Sequence, residues 1–188
     1  MDNSMALTKT PICNFGEKAK DFKLKSTDNK QISLKDVKGE NGTLVMFICN
    51  HCPYVKAIIK DLVNDIKSLE EIGIKSVGIM SNDVKNYPED SFENMISFSK
   101  LNNFSFPYLI DETQDVAKKY GAVCTPDFFG YNNNMELQYR GRIRELKNLQ
   151  PIGNGDTDLK KAMKLIAETG NGPKNQIPSM GCNIKWFK

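Results

Sequence analysis

Apolar positions along the chain alternate between short solid runs and longer stepped ones. Thr43–Ile48 (Thr-Leu-Val-Met-Phe-Ile) is solid, β-rich and bounded by Gly42, which predicts a strand buried on both faces. Val55, Ile58, Ile59, Leu62, Val63, Ile66 and Leu69 follow at once and step by three and four, which predicts an amphipathic helix. Ile74–Met80 then reads as a second strand with a polar loop, Ser81–Pro88, behind it. Phe92, Met95 and Ile96 mark a second helix, and Phe106–Ile110 another short strand after Asn102-Asn103. Val116, Ala117 and Tyr120 mark a short helix ending at Gly121, which suits a C-cap.

Upstream, Phe22–Leu24 and Gln31–Leu34 alternate around the turn formers Thr27-Asp28-Asn29-Lys30, predicting a hairpin. Lys35–Gly42 is a polar connection, and Pro11 and Gly16 interrupt any period in residues 1–20. A second hairpin is predicted where an apolar strand after Pro126 meets the turn run Asn132-Asn133-Asn134, beyond which Met135, Leu137 and Tyr139 alternate with Glu136, Gln138 and Arg140. Leu159, Ala162, Met163 and Ile166 define a last helix, with Asp156 and Asp158 at its start as the helix dipole prefers. Thr169–Lys188 carries Gly170, Gly172, Pro173, Pro178 and Gly181 and reads as irregular. Its Cys182, Ile184, Trp186 and Phe187 are too apolar for a free tail, so it is expected to pack back. The expectation is an α/β domain over residues 1–168 with 169–188 as a tail docked on it.

Composition narrows the function classes. A chain of 188 residues has room for one domain with a full core. The net charge of +3 is spread without a basic run, so no nucleic-acid footprint appears, and no run is long enough to cross a bilayer. Met1 to Phe22 lacks an apolar core flanked by basic residues and a small-residue cleavage site, which argues against secretion. Five cysteines, an odd number, then indicate reactive thiols in a reducing, cytoplasmic setting and not a disulfide framework.

The chemistry concentrates at Cys49-Asn50-His51-Cys52-Pro53, where the buried strand hands over to the helix. Unpaired N–H groups and the positive end of the dipole favour an anion there, and a thiolate is such an anion. Cys49, ahead of the first turn, is expected to be the more exposed and acidic sulfur, and Cys52 to resolve a mixed disulfide formed on it. Pro53 suits a first-turn position. His51, the chain's single histidine, either stabilises the thiolate or is a solvated turn residue. Ser81, Asn82 and Asp83 either edge the site or simply cap their loop. Cys13 is read as an incidental thiol.

Strand, Cys-x-x-Cys, helix, strand, helix, then Thr125-Pro126 before a hairpin and a closing helix resembles the thioredoxin fold. The N-terminal hairpin and the insertion before Thr125-Pro126 resemble the redoxin, AhpC/TSA peroxiredoxin-like branch, and the ending Gly181-Cys182-Asn-Ile-Lys-Trp186 resembles an uncharacterised subgroup of it. The likeness covers roughly residues 15–168 and rests on Cys49, Cys52, Thr125-Pro126 and Gly141-Arg142. It implies a mixed sheet flanked by helices, and a cis Pro126 facing the two sulfurs. It also implies that the backbone of Thr125 is available to pair with an extended substrate. Two departures stand out. Aligning Cys52 with the peroxidatic cysteine puts Val45 where that motif has proline and Cys49 where it has threonine, and Ile48 replaces the tryptophan that precedes the pair in thioredoxins.

Cys124, two residues from Pro126, and Cys182 are candidate auxiliary redox thiols; buried small apolar residues are the alternative reading. Arg142 either adds positive charge at the site or is a solvated hairpin residue. The leading function is a thiol–disulfide oxidoreductase working on protein or small-molecule disulfides or thiols with a separate electron donor, needing no cofactor, no metal, no nucleic acid and no membrane, as a monomer or homodimer. The alternatives are a thiol peroxidase, recognisable by a sulfenic acid, and a metal-binding module using Cys49, His51, Cys52 and Cys124 or Cys182.

Overall fold

The computed structural model describes residues 6–11 and 13–188, so the reading of residues 1–5 lies outside them. In chain order the elements are β1 (Leu7–Lys9), β2 (Lys23–Ser26), β3 (Gln31–Ser33), β4 (Gly42–Phe47), α1 (Pro53–Glu70), β5 (Ile74–Met80), α2 (Phe92–Leu101), β6 (Tyr108–Ile110), α3 (Asp115–Tyr120), β7 (Cys124–Thr125), β8 (Asp127–Tyr131), β9 (Leu137–Tyr139), β10 (Leu146–Lys147), β11 (Gln150–Pro151), α4 (Asp158–Thr169) and β12 (Met180–Asn183). Short 3-10 turns sit at Lys35–Val37 and Pro88–Asp90.

A seven-stranded mixed sheet, ordered β3-β2-β6-β5-β4-β8-β9, forms the middle layer. β4 runs parallel to β5 and antiparallel to β8, and every residue of it is buried. Successive side chains of a strand point to opposite faces. Leu44, Met46 and Ile48 accordingly enter one core with α1, α2 and α4, while Val45 and Phe47 enter the other with Val116, Ala117, Tyr120 and Phe129. The solid run of the sequence is therefore a central strand with helices on both faces. α3 ends as the sequence suggested, on Gly121 in the left-handed conformation at φ 67°.

Two features depart from the sequence reading. The arm expected to be irregular contains β1, and the tail expected to be irregular contains β12, which pairs antiparallel with β1 on one side and with β7 on the other. The order β1-β12-β7 makes a second sheet directly beside the Thr125-Pro126 turn. β10 and β11 form a small hairpin that no alternation announced.

α1 is pinned to α4 by a polar contact inside the packing. Thr157, the N-cap of α4, accepts from the N–H of Lys160 and donates its hydroxyl to Asp65 Oδ2 at 2.5 Å. Burial pushes the Asp65 carboxyl up from 3.8 to about 6. An acid whose pKa is higher in the folded chain stabilises the fold below its unfolded pKa and loses that contribution as pH rises through the folded value. Stability should thus fall by about 1–2 kcal/mol from pH 4 to pH 7, after discounting for solvent screening. Asp65→Asn should flatten that part of the profile and raise the melting temperature at pH 7 by about 3–6 °C. Thermal denaturation across this range checks it, and an unchanged profile in the variant would assign the dependence elsewhere.

Candidate active site

β4 delivers Ile48 and Cys49 from the sheet into the loop Asn50-His51, and α1 opens at Pro53 in its first position. The cap residue is Cys52, in extended conformation at φ −65° and ψ 123°. Cys49 lies three residues ahead of this cap, and Cys52, expected within the first turn, instead holds the place at the head of the dipole. No disulfide joins Cys49 to Cys52.

The peptide bond between Thr125 and Pro126 is cis. Thr125 meets both sulfurs: its Oγ1 lies 3.4 Å from Cys49 Sγ, and its carbonyl accepts from Cys52 Sγ at 3.1 Å. Cys182 Sγ, from β12, lies 3.0 Å from Cys52 Sγ. Three sulfurs and the cis turn thus meet at the N-terminus of α1. Cys124 does not join them, because its Sγ turns to the Pro126 carbonyl at 3.5 Å and burial pushes its pKa up. Cys13 is half-buried on the other face of the sheet, and burial raises its pKa too.

The expectation that Cys49 is the exposed, acidic sulfur is corrected. It is only 1% exposed, and burial holds its thiol well above the ordinary range, helped by the neighbouring Cys52 and by the charge of Asp90. Cys52 is pulled down by hydrogen bonds from the thiols of Cys182 and Cys49, with the N–H of Val55 adding to the effect. The same contact drives Cys182 up. Of the three, Cys52 is the one that the helix terminus serves, which favours ionisation there over the other two. It is as buried as Cys49, so neither sulfur is open to solvent.

His51 is held by a residue that no pattern along the chain singled out. Asp90, from the 3-10 turn beyond β5, is fully buried; its Oδ2 lies 2.6 Å from His51 Nδ1 and accepts from Asn82 Nδ2 at 2.8 Å, while its Oδ1 accepts from the N–H of Asn50 at 2.8 Å. The bond to Asp90 raises the His51 pKa above 6.5 against the opposing effect of burial. The imidazole also stacks on Tyr87 with ring centroids 6.0 Å apart. Asn50 is fixed in turn, donating to the Glu89 carbonyl and accepting from Tyr108 Oη. Donor atoms of Cys49, His51 and Asp90 lie within 4.8 Å of one another, the one such cluster among the described residues. Asp90 already receives three donors, which makes it an orienting carboxylate for His51 more than a free metal ligand.

Of the loop residues singled out, Asn82 belongs to this network, whereas Ser81 donates to Asp111 and Asp83 closes its own turn onto Lys85 and Asn86. Arg142 pairs with Asp158 at 2.8 Å and borders a cleft of about 270 Å³ beside Tyr54, Pro126 and Ile177. A second cleft opens beside Asn50 and His51. The sulfurs line neither.

This architecture is that of a thioredoxin-like redoxin: a mixed sheet, a Cys-x-x-Cys at the head of the helix after the central strand, and a cis proline facing it. The AhpC/TSA family profile matches residues 15–146, and the chain belongs to that family. It is similar over its whole length to the crystal structure of an uncharacterized conserved protein from Geobacillus kaustophilus, at 38% identity and a TM-score of 0.92 with 98% of each chain covered. A hypothetical protein from Sinorhizobium meliloti 1021 is similar at 35% identity and a TM-score of 0.88, covering 96% of this chain and 98% of that one. The fold alone is shared with the thioredoxin domain of a thiol-disulfide oxidoreductase from Bacteroides vulgatus, at 16% identity, a TM-score of 0.58 and coverage of 73% and 91%. No curated protein sequence matches.

Proposed function

We propose that this protein is a thiol–disulfide oxidoreductase whose redox couple is Cys49–Cys52, with Cys52 as the attacking thiolate and Cys49 as the thiol that resolves. The observation that carries the reading is Cys52 as cap of α1, with its charge stabilised by two neighbouring thiols, against the cis Thr125-Pro126 turn. Cys52 attacks one sulfur of a substrate disulfide and expels the other; Cys49 then attacks Cys52, forming the intramolecular disulfide and releasing the second substrate thiol. A dithiol donor reverses the couple. His51, kept protonated to higher pH by Asp90, supplies positive charge beside the pair and a proton for the leaving thiolate. A cytoplasmic location suits a couple that must be re-reduced after each turn.

The test is turnover of a disulfide-bonded peptide with dithiothreitol as the electron donor. Reduction should exceed the rate with dithiothreitol alone, in proportion to protein. Equality of the two rates at all protein concentrations would overturn the assignment. A second reading, peroxide reduction, draws on the AhpC/TSA family match, although aligning Cys52 with a peroxidatic cysteine leaves Val45 and Cys49 where that motif has proline and threonine. It requires a sulfenic acid on Cys52 formed by peroxide faster than on free cysteine.

A further inference from the structure

The edge beside Thr125, which a substrate strand was expected to use, is occupied by the chain itself. Cys182 stands opposite Thr125 in the β12–β7 register and opposite Leu7 in the β12–β1 register. The approach is close: a Cβ built on Gly181 would lie 2.0 Å from the Thr125 carbonyl oxygen, so only glycine fits. The strand is fastened beyond the sulfur as well. The N–H of Ile184 donates to the Val123 carbonyl, and the N–H of Lys185 to Asn82 Oδ1, whose amide in turn holds Asp90. Gln114 grips the end of the tail, donating to the Lys185 carbonyl and accepting from the N–H of Phe187. The tail is thus wired to the same network that orients His51, and it carries a third sulfur to within 3.0 Å of Cys52.

We propose that Cys182 is a second exchange partner of Cys52, so that oxidation of the Cys49–Cys52 couple is passed to a Cys52–Cys182 disulfide that clamps the tail over the site. This rests on the reading of Cys49–Cys52 as the redox couple. In the step, the Cys182 thiolate attacks the Cys52 sulfur of the Cys49–Cys52 disulfide. The Cys52–Cys182 bond forms, the Cys49–Cys52 bond breaks, and Cys49 leaves as a thiolate that takes up the proton Cys182 gave up. One disulfide and one thiol are present before and after, so no further oxidant or reductant enters. Sulfurs at 3.0 Å need to close by only about 1 Å to reach the bonded length of about 2.05 Å. Cys52 lies between its two partners and belongs to both disulfides. Reduction of either frees the thiolate, and opening of the Cys52–Cys182 bond also lets β12 part from β7, which a substrate strand needs before it can pair with Thr125.

The experiment is peptide mapping of the full chain equilibrated in oxidised dithiothreitol, quenched in acid, alkylated in denaturant and digested without reduction. Wild type should yield the Cys52 peptide joined to the Cys182 peptide, and Cys49→Ser should yield the same linkage. Cys182→Ser should stop at Cys49–Cys52, and its tail should show faster amide exchange over residues 180–185 than the oxidised wild type. If wild type yields only Cys49–Cys52, with Cys182 fully alkylated, the relay is overturned and the oxidoreductase assignment stands. If neither disulfide forms, both fall. Cys182→Ala, compared with wild type by thermal denaturation, confirms that the loss of linkage reflects the missing sulfur and not a failed fold.

Discussion

Cys52→Ser should abolish disulfide exchange, lowering the turnover rate by roughly a thousand-fold or more, as removal of an attacking nucleophile does. Cys49→Ser combined with Cys182→Ser should keep the first half of the cycle, capturing substrate on Cys52 with neither neighbouring thiol left to release it, because the acidic sulfur and its helix terminus remain. The physical basis is one-sided. A serine hydroxyl at the cap of α1 would satisfy the helix as well as cysteine or better, so the variant should be folded while losing the anion. Cys49→Ser, in contrast, exchanges one buried group that hydrogen-bonds Thr125 Oγ1 for another. Single-turnover trapping with a disulfide substrate, read by intact mass, separates the two variants. Capture by Cys52→Ser together with its loss in the Cys49→Ser, Cys182→Ser double variant would return the attacking role to Cys49.

Asp90→Asn should have the second largest effect, and it acts through His51. In the wild type, the hydrogen bond to Asp90 outweighs burial and lifts the imidazole pKa above 6.5. Without the carboxylate, burial is opposed only by the weaker influence of Cys52 and Glu89, so the His51 pKa should fall, as the imidazole C–H resonances would report by NMR. The group with a raised pKa stabilises the fold fully below its unfolded pKa and loses that contribution as pH rises through the folded one. The variant should therefore lose the corresponding stabilisation in acid, on top of about 3 kcal/mol for leaving buried donors without their acceptor. The pH profile of exchange should shift to lower pH along with the imidazole. His51→Gln gives the control: it should show the altered pH profile with less loss of stability, since Asn50 and Asn82 keep their acceptor. An unmoved imidazole titration in Asp90→Asn would show that the carboxylate does not set it.

The sequence made the central layer legible because β4 and α1 carry their periods openly. Thr43–Ile48 is solid, and the row from Val55 to Leu69 steps as a helix, with Pro53 marking its first position. Placing Pro53 in the first turn was enough to find the site but not to rank its sulfurs. The cap falls on Cys52, and Cys49 remains at the end of a strand buried on both faces, where desolvation dominates. Asp90 was hidden because a buried carboxylate looks, in sequence, like any other charge in a polar loop, and its partner His51 is 39 positions away. β12 was hidden for a different reason. Met180–Asn183 has neither alternation nor β-branched residues, and its extended form comes from the strands on either side of it, β1 and β7, which are themselves only three and two residues long. Pairing partners 57 to 175 positions apart leave no local mark, whereas the apolar content of the tail was a sufficient sign that it docks.

The position of β12 also orders events during synthesis. Cys52 and Cys182 are 130 positions apart, and at about 5–20 residues per second the ribosome needs on the order of ten seconds or more to make the second after the first. Until the tail is made the nascent chain has nothing to lay across Thr125, and β1, whose partner strand among the described residues is β12, must wait for it. The sulfurs are accordingly at their most vulnerable to stray oxidants before translation of the tail, and a chaperone that screens them in that period would protect chemistry as well as shape.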